Sequence, residues 1–173
     1  APGIALGPAR HFRAPAPEIP TEPATDPQDE WEALQQALER VRTEIRATRD
    51  SVAARAGEYS AAIFDAHVLF LEDEALLEPA RRAIFEQGRN AAQAWYEAAE
   101  SVAAEYRSLD DAYLKARAED LAGVARQVVA ALVGGEEAPA AVVEPGIVVA
   151  ADLMPADTAS LDRELVRGIA TAY

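Results

Sequence analysis

The sequence contains no cysteine and only two histidines, and these shortages exclude several kinds of site. Without thiols the chain has no disulfide, no cysteine nucleophile and no cysteine-based zinc or iron–sulfur centre. His11 and His67 are too few for a histidine metal cluster. We therefore expect these 173 residues to bind no metal and no cofactor.

Long apolar runs and basic residues are also scarce. No apolar run approaches the roughly 18 uncharged residues that span a bilayer, and no basic segment precedes an apolar N-terminal core, so we expect a cytoplasmic protein. The 16 lysines and arginines face 30 acidic residues, which gives a net charge of -14. This charge repels nucleic acids and anionic membranes, so we expect neither as a partner, and it would attract a basic protein.

Half of the residues are hydrophobic, which is enough for a buried core, and their pattern changes twice along the chain. Residues 1–12 mix glycine and proline with short apolar steps, which predicts a turn and a strand, and a proline-rich connector follows. Runs of β-branched residues at 140–143, 147–150 and 166–171 predict short strands. Residues 26–135 instead repeat their apolar positions with helical spacing.

This pattern predicts an α/β subdomain that is interrupted by an all-α helical bundle, so that the chain is mostly α overall. We expect residues 1–25 to supply the N-terminal strand segment and linker of the α/β subdomain, and residues 26–135 to form the bundle. Residues 136–173 would resume the α/β subdomain. We expect that subdomain to be truncated, because no further strand follows the one predicted at 166–171.

Local signals predict the ends of the helices. Asp26 and Pro27 are typical of a helix start, because aspartate caps free amides and proline at the first helical position gives up no hydrogen bond. Gly57 predicts the end of that helix. Pro79 predicts a kink or a new helix near Glu78, since its missing N–H breaks the ladder. The other predictions are a stop and cap at 88–90, a cap at Ser108 for the last long helix, and a stop at 134–135.

Apolar side chains on these helices predict a shared core. A seam with alternating spacings of three and four residues on the first helix favours an intramolecular bundle over a coiled-coil dimer, because more helices follow. The seam contains Trp31, Leu34, Leu38, Val41, Ile45, Thr48 and Val52. The last helix is predicted to turn Tyr113, Leu121, Val124, Val128 and Leu132 toward the same core.

Residues 62–76 are too apolar around their circumference for an ordinary surface helix. Two neighbouring stripes run along this stretch, one with Ile63, His67 and Phe70 and one with Phe64, Val68 and Leu71. One stripe can face the core of the bundle, and the other must be covered by another helix or by a partner protein. Burial inside a bundle is the commoner outcome for such a helix, and a docking surface is the alternative.

Four stretches, in order and in register, give the chain a family resemblance. They are PGIALGPA at 2–9, IFDAHVLFLED at 63–73, DDAYLKARAED at 110–120 and VAADLMPADTA at 149–159. Together they resemble the N-terminal part of enzyme I, the phosphoenolpyruvate-protein phosphotransferase of the bacterial sugar phosphotransferase system. Enzyme-I-like parts of multiphosphoryl transfer proteins and of dihydroxyacetone kinase phosphotransfer subunits share these motifs, so those paralogues remain alternatives.

The resemblance implies an α/β phosphohistidine subdomain, a helical bundle that docks the phosphocarrier HPr, and phosphoryl transfer from phosphoenolpyruvate in the whole enzyme. It implies a magnesium site and a dimer for the full-length enzyme, and we expect the present chain alone to be a monomer. Carried over by position, the HPr-binding residues are His67, Leu69, Phe70, Glu74, Leu76, Tyr106, Leu114 and Arg117.

The sequence departs from the family at its catalytic residue. The family's phospho-accepting histidine lies in a Gly-Gly-x-Thr-x-His motif, which is absent after the strand at 166–171. Thr158 matches a threonine that hydrogen-bonds this histidine. We therefore expect an enzyme I fragment that docks HPr but is catalytically inactive, with the acceptor beyond its end. His67, in the middle of an apolar helix, is not expected to be the acceptor. A helical dimerisation module without phosphotransfer is the alternative from another class.

Overall fold

The computed structural model describes residues 5–12, 19–134, 144–150, 153, 155–162 and 164–171. Within these ranges the chain forms mainly helices, together with a small parallel sheet. In chain order the elements are β1 (Ala9–His11), α1 (Pro27–Ala56), α2 (Glu58–Phe70), α3 (Glu74–Gln87), α4 (Ala91–Ser108), α5 (Ala112–Leu132), β2 (Gly146–Ala150), α6 (Pro155–Ser160) and β3 (Val166–Thr171).

The chain divides into two compact units, one of Ala1–Pro15 with Glu137–Tyr173 and one of Ala16–Glu136. Residues 1–25 were predicted to be the strand segment and linker of the α/β subdomain. In the structure, residues 20–24 are hydrogen-bonded to the helical unit. The Asn90 side-chain amide donates to the carbonyls of Pro20 and Glu22 at 2.9 and 2.8 Å. The Ala24 N–H donates to the Gly88 carbonyl at 2.9 Å.

The sheet has the order β1-β2-β3, and both pairings are parallel. The strands predicted at 147–150 and 166–171 are confirmed as β2 and β3, and the predicted opening strand is β1. The small core beside the sheet consists of Phe12, Val148, Ala150 and Leu161, with Leu153 and Val166 packed against it. The strand predicted at 140–143 falls outside the described residues.

Gly146, the first residue of β2, leaves no room for a side chain on the face toward β1. A Cβ atom at this position would lie 2.6 Å from the Pro8 carbonyl oxygen and 2.7 Å from Cγ of Arg10. We expect Gly146→Ala to force the strands apart and to destabilise the sheet by roughly 1–3 kcal/mol. Hydrogen exchange at residues 147–150 measures the effect as faster exchange.

Gly7→Ala provides the control for this substitution, because a Cβ there would meet its nearest atom, Cδ of Arg167, only at 3.6 Å. Equal exchange rates for the Gly146→Ala variant and the unsubstituted protein would show that the sheet accepts a Cβ at this position.

The helical unit begins as predicted. Asp26 accepts a hydrogen bond from the Gln28 N–H at 2.8 Å, Pro27 occupies the first turn of α1, and α1 stops before Gly57 at φ 87°. The middle of the predicted seam is buried in the core, while Trp31 is only partly buried. The largest fully buried side chains of the unit are Leu34, Val41, Leu71, Leu76, Ile84, Trp95, Leu121, Val124, Val128 and Val129.

The break between α2 and α3 differs from the prediction. The chain leaves the helix at residues 71–73 instead of near Glu78, and Asp73 caps α3 by accepting from the Ala75 N–H at 2.9 Å. Pro79 then lies inside α3. Because it comes early in that helix, its missing N–H removes one backbone hydrogen bond while the preceding turn stays capped.

The start of α5 was also predicted wrongly. Its cap is Asp111, which accepts from the N–H groups of Tyr113 and Leu114 at 2.8 and 3.1 Å. Ser108 ends α4, and its hydroxyl donates to the Glu105 carbonyl at 2.7 Å. Tyr113, predicted to face the core, is 64% exposed in the first turn of α5. The stop at Gly88 and the cap at Asn90 are confirmed by the backbone conformation and by the Gln93 N–H bond.

Candidate functional site

The end of α2 presents its apolar residues in opposite directions. The core-facing side has a buried row of Phe64, His67 and Leu71. His67 belongs to the first predicted stripe, and the other two residues belong to the second. Leu69 lies on the other side and is 65% exposed, and Phe70 is partly buried between them. A single exposed leucine at a helix end is common in folded proteins. Leu69, however, adjoins an exposed acidic turn.

That turn consists of Glu72 and Asp73 and continues into Glu74 at the start of α3, and all three residues are exposed. The Glu72 carboxylate lies 3.4 Å from Nη2 of Arg42, whereas the Glu74 side chain has no ion-pair partner among the described residues. An exposed apolar side chain beside excess negative charge suits a partner whose surface combines an apolar pocket with basic residues.

His67 lies beneath this surface and is only 3% exposed. Its ring makes an edge contact with Phe64, at 5.6 Å between centroids, and a stacked contact with Phe70 at 6.4 Å. Nε2 of His67 forms no hydrogen bond with the described part of the chain, and it lies 3.7 Å from a carboxylate oxygen of Asp120 on α5. The ring contacts of His67 are therefore with neighbours on α2, and its approach to Asp120 links the end of α2 to α5.

Arg117 lies one turn before Asp120 on α5. Its Nη1 donates to Oδ2 of Asp120 at 3.1 Å, and its guanidinium carbon lies 5.0 Å from the centre of the Tyr113 ring. The arginine is thus held on one side by a carboxylate and on the other by the face of an exposed aromatic ring.

The neighbouring end of α4 is tied to α5 by Arg107. This side chain donates to Glu119 at 2.9 Å and to Glu100 at 2.7 Å, and the hydrogen bond with Glu119 raises the pKa of Arg107 above its usual value. Tyr106 and Leu114, both partly buried, lie on either side of the α4–α5 turn.

The predicted docking residues differ in exposure. Leu69 and Glu74 are exposed, and Phe70, Tyr106, Leu114 and Arg117 are partly buried. His67 and Leu76 are buried, so in the isolated chain neither side chain is available for direct contact. The docking role of all eight residues stays a prediction.

Two residues of this site were missed by the sequence reasoning. Asp120 follows Arg117 by three positions, a spacing typical of helix ion pairs, and this signal was present in the sequence. The part played by Tyr113 depends on which face α5 turns outward, which the sequence misjudged. Thr158 lies exposed on α6 in the other unit, and its role beside a histidine stays a prediction.

The described residues offer neither a metal site nor a membrane span. No group of three or more His, Asp or Glu side chains in the described ranges could hold a metal ion. No helix in the described part of the chain is long and apolar enough to cross a membrane.

The N-terminal domain model of PEP-utilising enzymes matches residues 1–117 of the chain. The chain belongs to this family. Among curated PEP-utilising relatives, the phosphoenolpyruvate-protein phosphotransferase of Priestia megaterium is 35% identical over 172 residues, and that of Listeria innocua is 36% identical over 170. Both matches cover 98% of this chain, which spans only 30% of either relative.

Solved structures of the PEP-utilising family agree with the fold. An enzyme I structure determined by NMR matches with a TM-score of 0.75 and 30% identity, covering 99% of this chain and 70% of that one. The N-terminal domain of a protein described as Enzyme 1 - Nitrogen matches with a TM-score of 0.68 and 30% identity, covering 98% and 70%. The predicted resemblance and the predicted fold class are confirmed.

Proposed function

We propose that this chain is the carrier-docking part of a phosphoenolpyruvate-protein phosphotransferase of the enzyme I type, and that it binds HPr. In the whole cytoplasmic enzyme, which would also hold magnesium, the phosphoryl group passes from phosphoenolpyruvate to a histidine and then to HPr. The names of the relatives support the reaction. The observation that carries the docking role is the exposed Leu69 beside the acidic turn at 72–74.

In this proposal Leu69 and Phe70 are the apolar anchors. A leucine that is 65% exposed has most of its surface still to bury, so a partner that covers it gains apolar burial. The acidic residues around it attract a basic partner and orient it during the encounter.

The buried residues of the predicted docking set, His67 and Leu76, would support the docking surface from below. His67 contacts Phe70 through a stacked ring and sets the position of this anchor. Leu76 is buried in the first turn of α3 and fixes the start of the helix that carries Glu74.

Titration of the chain with HPr in a calorimeter tests the proposal. We expect a one-to-one complex that weakens as salt rises, because charges at the rim are screened. Sedimentation of the chain alone tests the alternative, a helical dimerisation module. A stable dimer that does not bind HPr would mean that this surface binds a second copy of the chain and that the docking proposal is wrong.

Phosphoryl transfer to this chain gives a second test. His67 is 3% exposed and lies among aromatic rings, so an incoming phosphoryl group cannot reach its nitrogen without unfolding of α2. We expect incubation with phosphorylated HPr to leave the intact mass of the chain unchanged at neutral to alkaline pH, where phosphohistidine survives. A gain of one phosphoryl group that disappears in a His67→Ala variant would make His67 an acceptor and contradict this expectation.

A further inference from the structure

A single carboxylate connects the buried and the exposed parts of the site. Oδ1 of Asp120 lies 3.7 Å from Nε2 of His67, and Oδ2 accepts the hydrogen bond of Arg117 at 3.1 Å. The Asp120 side chain is only 16% exposed, so water competes weakly for its two oxygens. Nε2 of His67, which has no hydrogen-bond partner among the residues that the structure describes, lies beside this carboxylate.

Arg117 has a long side chain, and fixing such a side chain in one conformation costs rotamer entropy. Here the conformation is already fixed before a partner arrives, because Asp120 binds the guanidinium and the Tyr113 ring supports its face. An arginine ordered in the free protein loses less entropy on binding, so its contacts with a partner contribute more to affinity.

We propose that Asp120 is a positioning residue of the docking surface, one that orders Arg117 for a partner and couples it to the buried ring of His67. The inference rests on the proposed docking of HPr. The inference predicts that removing the negative charge of Asp120 weakens the binding of a basic partner. Most of this loss would come from a disordered Arg117, and less of it from the lost attraction between the carboxylate and the partner.

Asp120→Asn is the decisive substitution, since asparagine keeps the shape of the side chain and removes the charge. We expect the affinity for HPr to fall roughly threefold to tenfold, within the range measured for single charged contacts. Glu44→Gln is the control: it also removes a carboxylate that binds an arginine, Arg40, at 3.0 Å, and both residues lie on α1 outside the predicted docking set. We expect this control to bind HPr within about twofold of the unsubstituted chain.

A double-mutant cycle separates positioning from simple attraction. Arg117→Ala should lower the affinity, and adding Asp120→Asn to Arg117→Ala should then lower it little further. If the two effects are additive, Asp120 acts independently of Arg117 and the inference is wrong. If the unsubstituted chain does not bind HPr at all, the docking proposal itself fails.

NMR relaxation of the Arg117 Nε–H group tests the structural half of the inference without any partner. We expect an ordered guanidinium in the unsubstituted chain and faster motion in Asp120→Asn. Unchanged motion would overturn the inference whatever the HPr titration shows. Thermal unfolding of both variants within a few degrees of the unsubstituted chain would show that the helices themselves stay intact.

Discussion

Replacing Leu34 with alanine is expected to lower the free energy of unfolding of the helical unit by about 2–5 kcal/mol. Leu34 is fully buried on α1, so the substitution removes apolar burial and leaves a cavity in a packed core. Urea denaturation followed by tryptophan fluorescence measures the change. Both tryptophans of the sequence, Trp31 and Trp95, lie in the helical unit, so the signal reports this unit alone.

Leu69→Ala is the matched control, because it removes the same atoms from a side chain that is 65% exposed. We expect it to change the free energy of unfolding by less than about 0.5 kcal/mol. A loss as large as that of Leu34→Ala would mean that Leu69 is packed in solution, and the surface described at the end of α2 would not exist.

The same Leu69→Ala substitution is expected to weaken HPr binding by about 1–3 kcal/mol, which is roughly fivefold to 150-fold in the dissociation constant. Leu69 has no core to fill, so its loss removes apolar burial only in the complex. Calorimetric titration measures the affinity, and the retained fluorescence of the variant shows that it is folded. Phe70→Ala should weaken binding by a similar amount, with some loss of stability because Phe70 also stacks on His67.

Ile169→Ala is the control for binding. Ile169 is 48% exposed on β3 in the other unit and is outside the predicted docking set, so its removal should leave the affinity unchanged. Equal weakening by Ile169→Ala and Leu69→Ala would point to nonspecific apolar association. Normal HPr binding by Leu69→Ala would remove the main support for docking at the end of α2.

The features of the fold that sequence reasoning predicted correctly are determined by neighbouring residues. Asp26 with Pro27, and Gly88 with Asn90, combine a helix cap with a backbone preference, and both signals lie within a few residues of each other. Ser108 misled the prediction because serine and aspartate cap equally well, and the choice of Asp111 depends on where α4 ends. Such a choice is made by packing between helices rather than by the local sequence.

Part of the candidate site could also be predicted, because its signals lie within one helix. The apolar excess of α2 indicated that one side of this helix needs an additional cover, and helical periodicity correctly placed Phe64 and Leu71 on a common face. Periodicity could not decide that His67 belongs to the core, because a histidine is compatible with either face. The contact of His67 with Asp120 joins residues far apart in the sequence, and only the tertiary structure reveals it.

The pairing of β1 with β2 has a consequence for the order of folding. Ala9 is aligned with Ile147, so β1 leaves the ribosome long before β2 and can pair with it only after the intervening helical unit has been synthesised. Contacts between distant residues close slowly, whereas helices with local contacts form fast. Refolding should therefore proceed in two phases, a fast gain of helical signal and a slower joining of the strands, with β1 exposed in between as an unpaired edge that attracts other chains.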